Sequence, residues 1–171
     1  MTVKTTRKIK SRNKDSTSLR GFYRVHIVDA DGTVAGDSGW QENQITNLGF
    51  NKYLVSALGA IAGSLQISHL NVGTGGAPAA ADTALAGEVV GTNSVVQRAS
   101  VTAATSSTSK TVRFTATLSS ANSFVTATNN VSNVGLFNSS ASGTLFAGNT
   151  YASSSCATNQ NVNCTYDIVF S

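Results

Sequence analysis

Proline is almost missing from this 171-residue chain; Pro78 is the single instance, so few bends are enforced by ring geometry. Tryptophan also occurs once, as Trp40, and aromatic residues make up 7% of the chain. That scarcity argues against a sugar-binding platform of exposed rings, and Trp40 is expected to help seat a helix. The two histidines, His26 and His69, lie in strand-like runs among apolar neighbours. There, packing or sheet hydrogen bonding explains them better than general-base chemistry. Charged residues are 12% against 40% hydrophobic, the reverse of a disordered composition. No apolar run approaches the ~20 residues needed to span a bilayer. The longest is broken by Gly59 and Gly63, and no apolar stretch follows the basic N-terminal region, so neither a membrane span nor a secretory signal is expected.

Catalytic patterns are equally scarce. Asp82, Glu88 and Asp167 are scattered rather than paired, and no Gly-x-Ser-x-Gly elbow occurs among the many serines. Asp29, Asp31 and Asp37 lack the later ligands and closing Glu of a calcium loop, and suit a turn whose carboxylates bond nearby backbone. Val72-Gly73-Thr74-Gly75-Gly76 lacks the Lys-Ser/Thr of a phosphate loop, so its glycines are expected to serve a tight turn or a close backbone approach. No enzyme activity, cofactor or metal site is expected.

What the chain does have is an uneven charge distribution. It holds 12 Lys+Arg and 8 Asp+Glu, a net +4. Residues 1–24 alone are +7 and the remainder −3. A basic arm over residues 1–20 therefore precedes a mildly acidic body over residues 21–171. The arm carries Lys4, Arg7, Lys8, Lys10, Arg12, Lys14 and Arg20, with Val3, Ile9 and Leu19 as apolar anchors. Its Thr and Ser residues are poor helix formers and its apolar residues make no stripe, so an extended or partner-induced conformation is expected. These ten residues are the candidate partner-binding set. A phosphate backbone or an acidic protein surface would attract them. The arm has no aromatics to stack on single-stranded bases, so nucleic acid is the less favoured partner.

The body reads as all-β: an antiparallel sandwich or barrel-like unit with one helix packed on it. A strand is expected over 22–28, a turn over 29–32 and a return over 33–35. Asn47 can cap a helix whose stripe is Leu48, Tyr53, Leu54, Ala57, Leu58 and Ile61. Further strands are expected within 65–72, 89–103, 110–118, 123–128, 133–137, 143–146 and 161–170. In 110–118 the alternation is cleanest, with Val112, Phe114, Ala116 and Leu118 on one face. The chain's 23 Ser, 21 Thr and 15 Asn supply exposed strand faces and turns. Cys156 and Cys164 are spaced to staple the base of a loop as a disulfide, with free buried thiols as the alternative.

Several segments carry a resemblance. These are Gln44-Ile45-Thr46-Asn47-Leu48-Gly49, then His69-Leu70-Asn71-Val72-Gly73-Thr74-Gly75-Gly76-Ala77-Pro78 with the Asp82–Glu88 stretch. Asn133-Val134-Gly135-Leu136-Phe137-Asn138 and Gly143-Thr144-Leu145-Phe146-Ala147 complete the set. Over roughly residues 40–150 the chain resembles a group of small β-rich virion structural proteins of tailed bacteriophages. Gly148 stands where an Arg often follows Leu-Phe-Ala in that group. The resemblance implies no catalytic residues. It implies a capsid decoration (cement) protein on the outer head surface, with the major capsid protein and neighbouring copies of itself, as a trimer, for partners. A tail or baseplate component is the alternative it implies, and a nucleic-acid-binding protein using the arm is the alternative that charge leaves open.

Overall fold

The computed structural model describes residues 18–59, 61–91, 98–106 and 110–171. Among the described residues, eleven strands form two antiparallel sheets. The first sheet runs β2 (Val34–Asp37), β1 (Leu19–Val28), β11 (Asn161–Phe170), β8 (Thr111–Leu118), β7 (Thr102–Ser106), with β3 (Gln41–Glu42) also paired to β1. The second runs β4 (Gln44–Ile45), β10 (Leu145–Cys156), β9 (Asn129–Phe137), β5 (His69–Gly73), β6 (Ala99–Ser100). The all-β sandwich is thus observed.

Alternation decides which face is inside. On β11 every second residue, Val162, Cys164, Tyr166 and Ile168, is buried. On β8 Phe114, Ala116 and Leu118 are buried while Arg113, Thr115 and Thr117 face water, as the pattern predicts. Leu70, Val72, Val131, Val134, Leu136 and Phe146 of the second sheet meet them in one core. Between the sheets Tyr23 stacks on Tyr166 at 5.7 Å and lies tilted against Tyr151 at 6.2 Å. Tyr23 donates its hydroxyl to the Thr150 carbonyl, and the Tyr166 hydroxyl accepts from Asn43 Nδ2.

The second sheet is covered on its outer face as well. The chain from Gly73 to Gly91 lies across β5 and β9. Thr74 and Gly75 donate to the carbonyls of Gly87 and Ala86, and a Cβ on Gly75 would stand 2.4 Å from the Ala86 oxygen, so the two backbones meet only without a side chain there. Asn133 Nδ2 donates to the Gly76 and Ala86 carbonyls, and Asn71 Nδ2 to Glu88 Oε1 and the Val89 carbonyl. Leu85, Phe137 and Leu145 form a small second core beneath this cover. Arg98 closes it: its guanidinium makes two bonds to Glu88 (2.6 and 3.0 Å), one to the Ser139 carbonyl, and lies 3.6 Å from the Phe137 ring centroid. The expected close approach is therefore observed at Gly73 and Gly75, whereas a side chain at Gly76 would meet nothing within 4 Å.

Some boundaries differ from expectation. Strand β1 begins at Leu19, where Ser18 and Ser171 exchange backbone bonds, so Leu19 and Arg20 belong to the sheet rather than to the preceding arm. Residues 123–128 are not a strand; after a 3₁₀ turn at Ser120–Asn122, Phe124 and Val125 are buried from a loop. Strands β9 and β10 are longer than expected, because Asn129–Ser132 and Asn149–Ser155, whose composition suggests turns, continue the ladder. Trp40 does not seat the helix. It is half exposed, with the Arg113 guanidinium 5.7 Å from its ring. Cys156 and Cys164 are free, buried thiols rather than a disulfide. They belong to strands of opposite sheets, and the turn between them is held instead by Gln160, whose Oε1 accepts from Ala157 N and whose Nε2 donates to Asp29. Burial pushes the Cys156 thiol up to about 11 and Cys164 higher still.

Candidate docking surface beside the N-terminal segment

The one substantial helix among the described residues starts with five-residue spacing over Gly49–Val55 and finishes as a short α-helical turn at Ser56–Leu58. Thr46, not Asn47, organises its start. The Thr46 hydroxyl accepts from Gly49 N at 2.9 Å and donates to the Leu145 carbonyl at 2.8 Å, tying the first turn to β10. A Cβ on Gly49 would fall 2.1 Å from the Phe146 oxygen, which fixes how closely the helix approaches that strand. Tyr53 completes the attachment: its ring meets Phe146 edge-on at 5.1 Å and its hydroxyl donates to the Thr144 carbonyl. Burial of that hydroxyl raises its pKa above the ordinary tyrosine value.

Once anchored, the helix has more apolar surface than the sandwich covers. Tyr53 is buried and Leu54 packs against the core, but Phe50 is 50% exposed, Val55 46%, Ile61 57% and Leu58 90%. Leu58 and Ile61, expected on the inner stripe, therefore face outward. The helix is apolar on more than one side, a pattern that goes with contacts on more than one side. Its outer side borders an apolar groove of ≈ 590 Å³, lined by Phe50, Leu54, Val55, Leu58, Leu19 and Phe170. A second apolar recess of ≈ 280 Å³ lies between the helix and Val112, Phe114 and Ile168.

Of the ten residues expected to bind a partner, Val3, Lys4, Arg7, Lys8, Ile9, Lys10, Arg12 and Lys14 lie outside the described residues. The other two are placed. Leu19 lines the groove, and Arg20 pairs with Glu42 at 3.0 Å, its guanidinium over Phe22 at 5.1 Å. Arg24 is bonded through Nε and Nη2 to Asp37 at 2.9 and 2.5 Å, and Arg113 likewise to Asp167 at 2.7 Å twice. The Arg24 hydrogen bonds hold the Asp37 carboxyl well below the usual carboxylate range. Every arginine of the body thus has its own carboxylate, whereas residues 1–17 carry six basic side chains and Asp15 alone in opposition. The segment with surplus charge joins the fold beside the groove with surplus apolar surface.

No known family model, curated protein or solved structure matches the chain.

The remaining candidates resolve as follows. Asp31 accepts from Thr33 N and Asp37 from Gly39 N, the backbone bonding expected of turn aspartates. His26 Nε2 lies 3.2 Å from Asp37, and His69 Nδ1 is 2.8 Å from the Ser68 hydroxyl. Among the described residues no three His, Cys, Asp or Glu come together in a way that could hold a metal ion. No helix among them is long and apolar enough to cross a membrane. Phe50 and Val55 were missed as surface residues. The available signal was the number of apolar residues in the 48–61 segment, more than one face can hold beside the polar Asn51, Lys52 and Ser56.

Proposed function

We propose that the chain is a decoration (cement) protein of a tailed-phage head, bridging neighbouring major capsid subunits from outside and meeting copies of itself as a trimer. The observation that carries this is the juxtaposition at Leu19, where a +5 segment of 17 residues enters the fold beside an uncovered apolar groove. With the arginines of the body each paired to a carboxylate, that segment is the main source of positive charge, and the groove adds contact area next to it. The resemblance of the 44–49, 69–78, 133–138 and 143–147 segments to phage virion proteins supplies the particle. Closed cyclic assemblies suit such a lattice-bound protein.

The test is addition of the purified chain to heads that lack it. Saturable binding with raised resistance to heat is expected, and removal of residues 1–17 should greatly weaken it. Absence of head binding together with copurification in tails would overturn the head assignment in favour of a tail component. DNA binding that depends on the arm and persists at physiological salt would instead favour nucleic acid as its partner.

A further inference from the structure

We infer that the outer face of the first sheet carries a binding site for a neutral pyranose sugar, with Trp40 as its stacking surface and the Arg113–Asp167 pair as its polar contact. The scarcity of rings excludes an extended sugar platform, but one indole is enough for one sugar ring, and Trp40 is 46% exposed instead of seating the helix. Trp40 precedes β3, which pairs with β1, and Arg113 stands on β8 with β11 between. The two side chains nevertheless meet over the outer face, with the guanidinium 5.7 Å from the ring centroid. Arg113 and Asp167 also line a recess of ≈ 390 Å³. Its walls are Thr111 and, on β7, which ends the first sheet among the described residues, Ala104, Thr105 and Ser106. Small-ligand sites are about 300–1,000 Å³ in volume. Arg113 thus joins an open aromatic face to a polar recess.

The chemistry of the pair selects the ligand. Arg113 bonds Asp167 through Nε and Nη2 at 2.7 Å each, which leaves Nη1 and the second lone pair of each carboxylate oxygen outside the pair. Donors and acceptors therefore lie side by side, and a vicinal diol answers both, since each sugar hydroxyl can donate and accept. The C–H face of a pyranose then suits the indole, as its hydroxyl rim suits the ion pair. Charge points the same way. Arg113 with Asp167, and Arg20 with Glu42 on the same face, cancel in pairs, so the surface offers a free anion or cation little net attraction. The polar contact is also preformed. Asp167 is only 13% exposed, and its two bonds hold the guanidinium fork in place before any ligand arrives. The site stands whether or not the chain binds phage heads.

The test uses the full-length chain alone in buffer, so its outcome is independent of head binding. The methyl pyranosides of glucose, galactose, mannose and N-acetylglucosamine are titrated separately while the emission of Trp40, the only tryptophan, is recorded. At least one should give a saturable change with a Kd of order 1 mM, the strength expected of so small a ligand at an open site. Saturation-transfer NMR observes the sugar itself and so reads the variants without needing the indole. Trp40→Ala should weaken binding roughly tenfold by removing the stacking surface, and Arg113→Lys by a similar factor, because a lysine has no planar fork. Both side chains are about half exposed, so both variants should keep the natural urea transition, which separates lost contact from lost fold. The methyl glucuronide, with a carboxylate in place of the hydroxymethyl group, should bind no more tightly than the neutral sugars. No saturable change with any of the four pyranosides overturns the inference. Undiminished binding by Trp40→Ala or by Arg113→Lys, or tighter binding of the glucuronide, overturns it too.

Discussion

The outer faces of the two sheets hold the same kind of ion pair in opposite surroundings. On the second sheet Arg98 and Glu88 form a bidentate pair with side chains only 4% and 11% exposed. On the first, Arg113 and Asp167 form an equally close pair with the arginine 52% exposed. The difference comes from what lies above them. The cover over residues 73–91, bonded to Asn71 and Asn133, shields the Arg98 guanidinium as well as Glu88, whereas the Arg113 guanidinium lies half in water beside the Trp40 ring although its partner Asp167 is only 13% exposed. Coulomb attraction grows as water is removed, but so does the cost of leaving either charge alone. The buried pair should act as a lock on the cover, the exposed pair as little more than surface organisation.

The largest effect expected from this contrast is at Arg98. Arg98→Ala leaves Glu88 buried with only Asn71 as a donor and removes the guanidinium from the Phe137 face. Urea unfolding should show a loss of about 3–5 kcal/mol, the range for breaking one side of a buried pair. Glu88→Leu combined with Arg98→Met should recover part of that loss, since two apolar groups need no partner. A loss below about 1 kcal/mol for Arg98→Ala would mean that water reaches Glu88 and that the two faces do not differ in this way.

A medium effect is expected at His69, on the covered sheet beside Ser68 and Ser100. Burial first, and the Arg98 charge second, lower its pKa below the ordinary histidine value. The folded chain therefore resists protonating this ring while the unfolded chain does not. In the interval below about pH 6.5 the unfolded state binds more protons, so stability falls as pH falls. Thermal melts from about pH 7.5 to 5.5 should show this decline in the natural chain and a flatter one in His69→Gln. Equal slopes in the two would place His69 in water.

These two faces were not equally legible in the sequence. The exposed sheet was readable because its strands alternate: Val112 to Leu118 and Val162 to Ile168 each place an apolar residue at every second position, and the turn aspartates behave locally. The covered sheet was legible only in part: strands were expected within 65–72, 133–137 and 143–146, but burial on both faces removes the alternation that would show what covers them. Asn71 and Asn133 fall within expected strands, but nothing in their residue type signals that they are buried, with their amide nitrogens bonded to carbonyls of the cover. The Glu88–Arg98 pair depends on a crossing of the chain over β9, which no local spacing encodes. Similar reasoning explains the helix. Its existence follows from residues 48–61, but which side faces out depends on Tyr53 meeting Phe146 almost a hundred residues later. The candidate surface was half legible: the charge of the 1–20 region is plain in the sequence, and the groove beside it arises only when Leu19, the helix and Phe170 are brought together.

The smallest effect is expected at the half-exposed arginine of the first sheet. Arg113→Ala removes two 2.7 Å bonds to Asp167 and the cation above Trp40, yet water replaces both at little cost. The change in unfolding free energy should stay within about 1 kcal/mol, the usual worth of an exposed pair. Trp40 is the chain's only tryptophan, so its emission isolates this corner of the molecule even when stability does not. Loss of the guanidinium, 5.7 Å from the ring, should change the Trp40 emission maximum in the folded protein and leave it unchanged in urea. The same emission should stay at its natural value in Arg98→Ala below its unfolding transition, because Arg98 lies under the cover of the other sheet. A shift in both variants would show that the two faces are coupled through the core. A shift only in Arg113→Ala, with stability nearly unchanged, would confine the exposed pair to a local role.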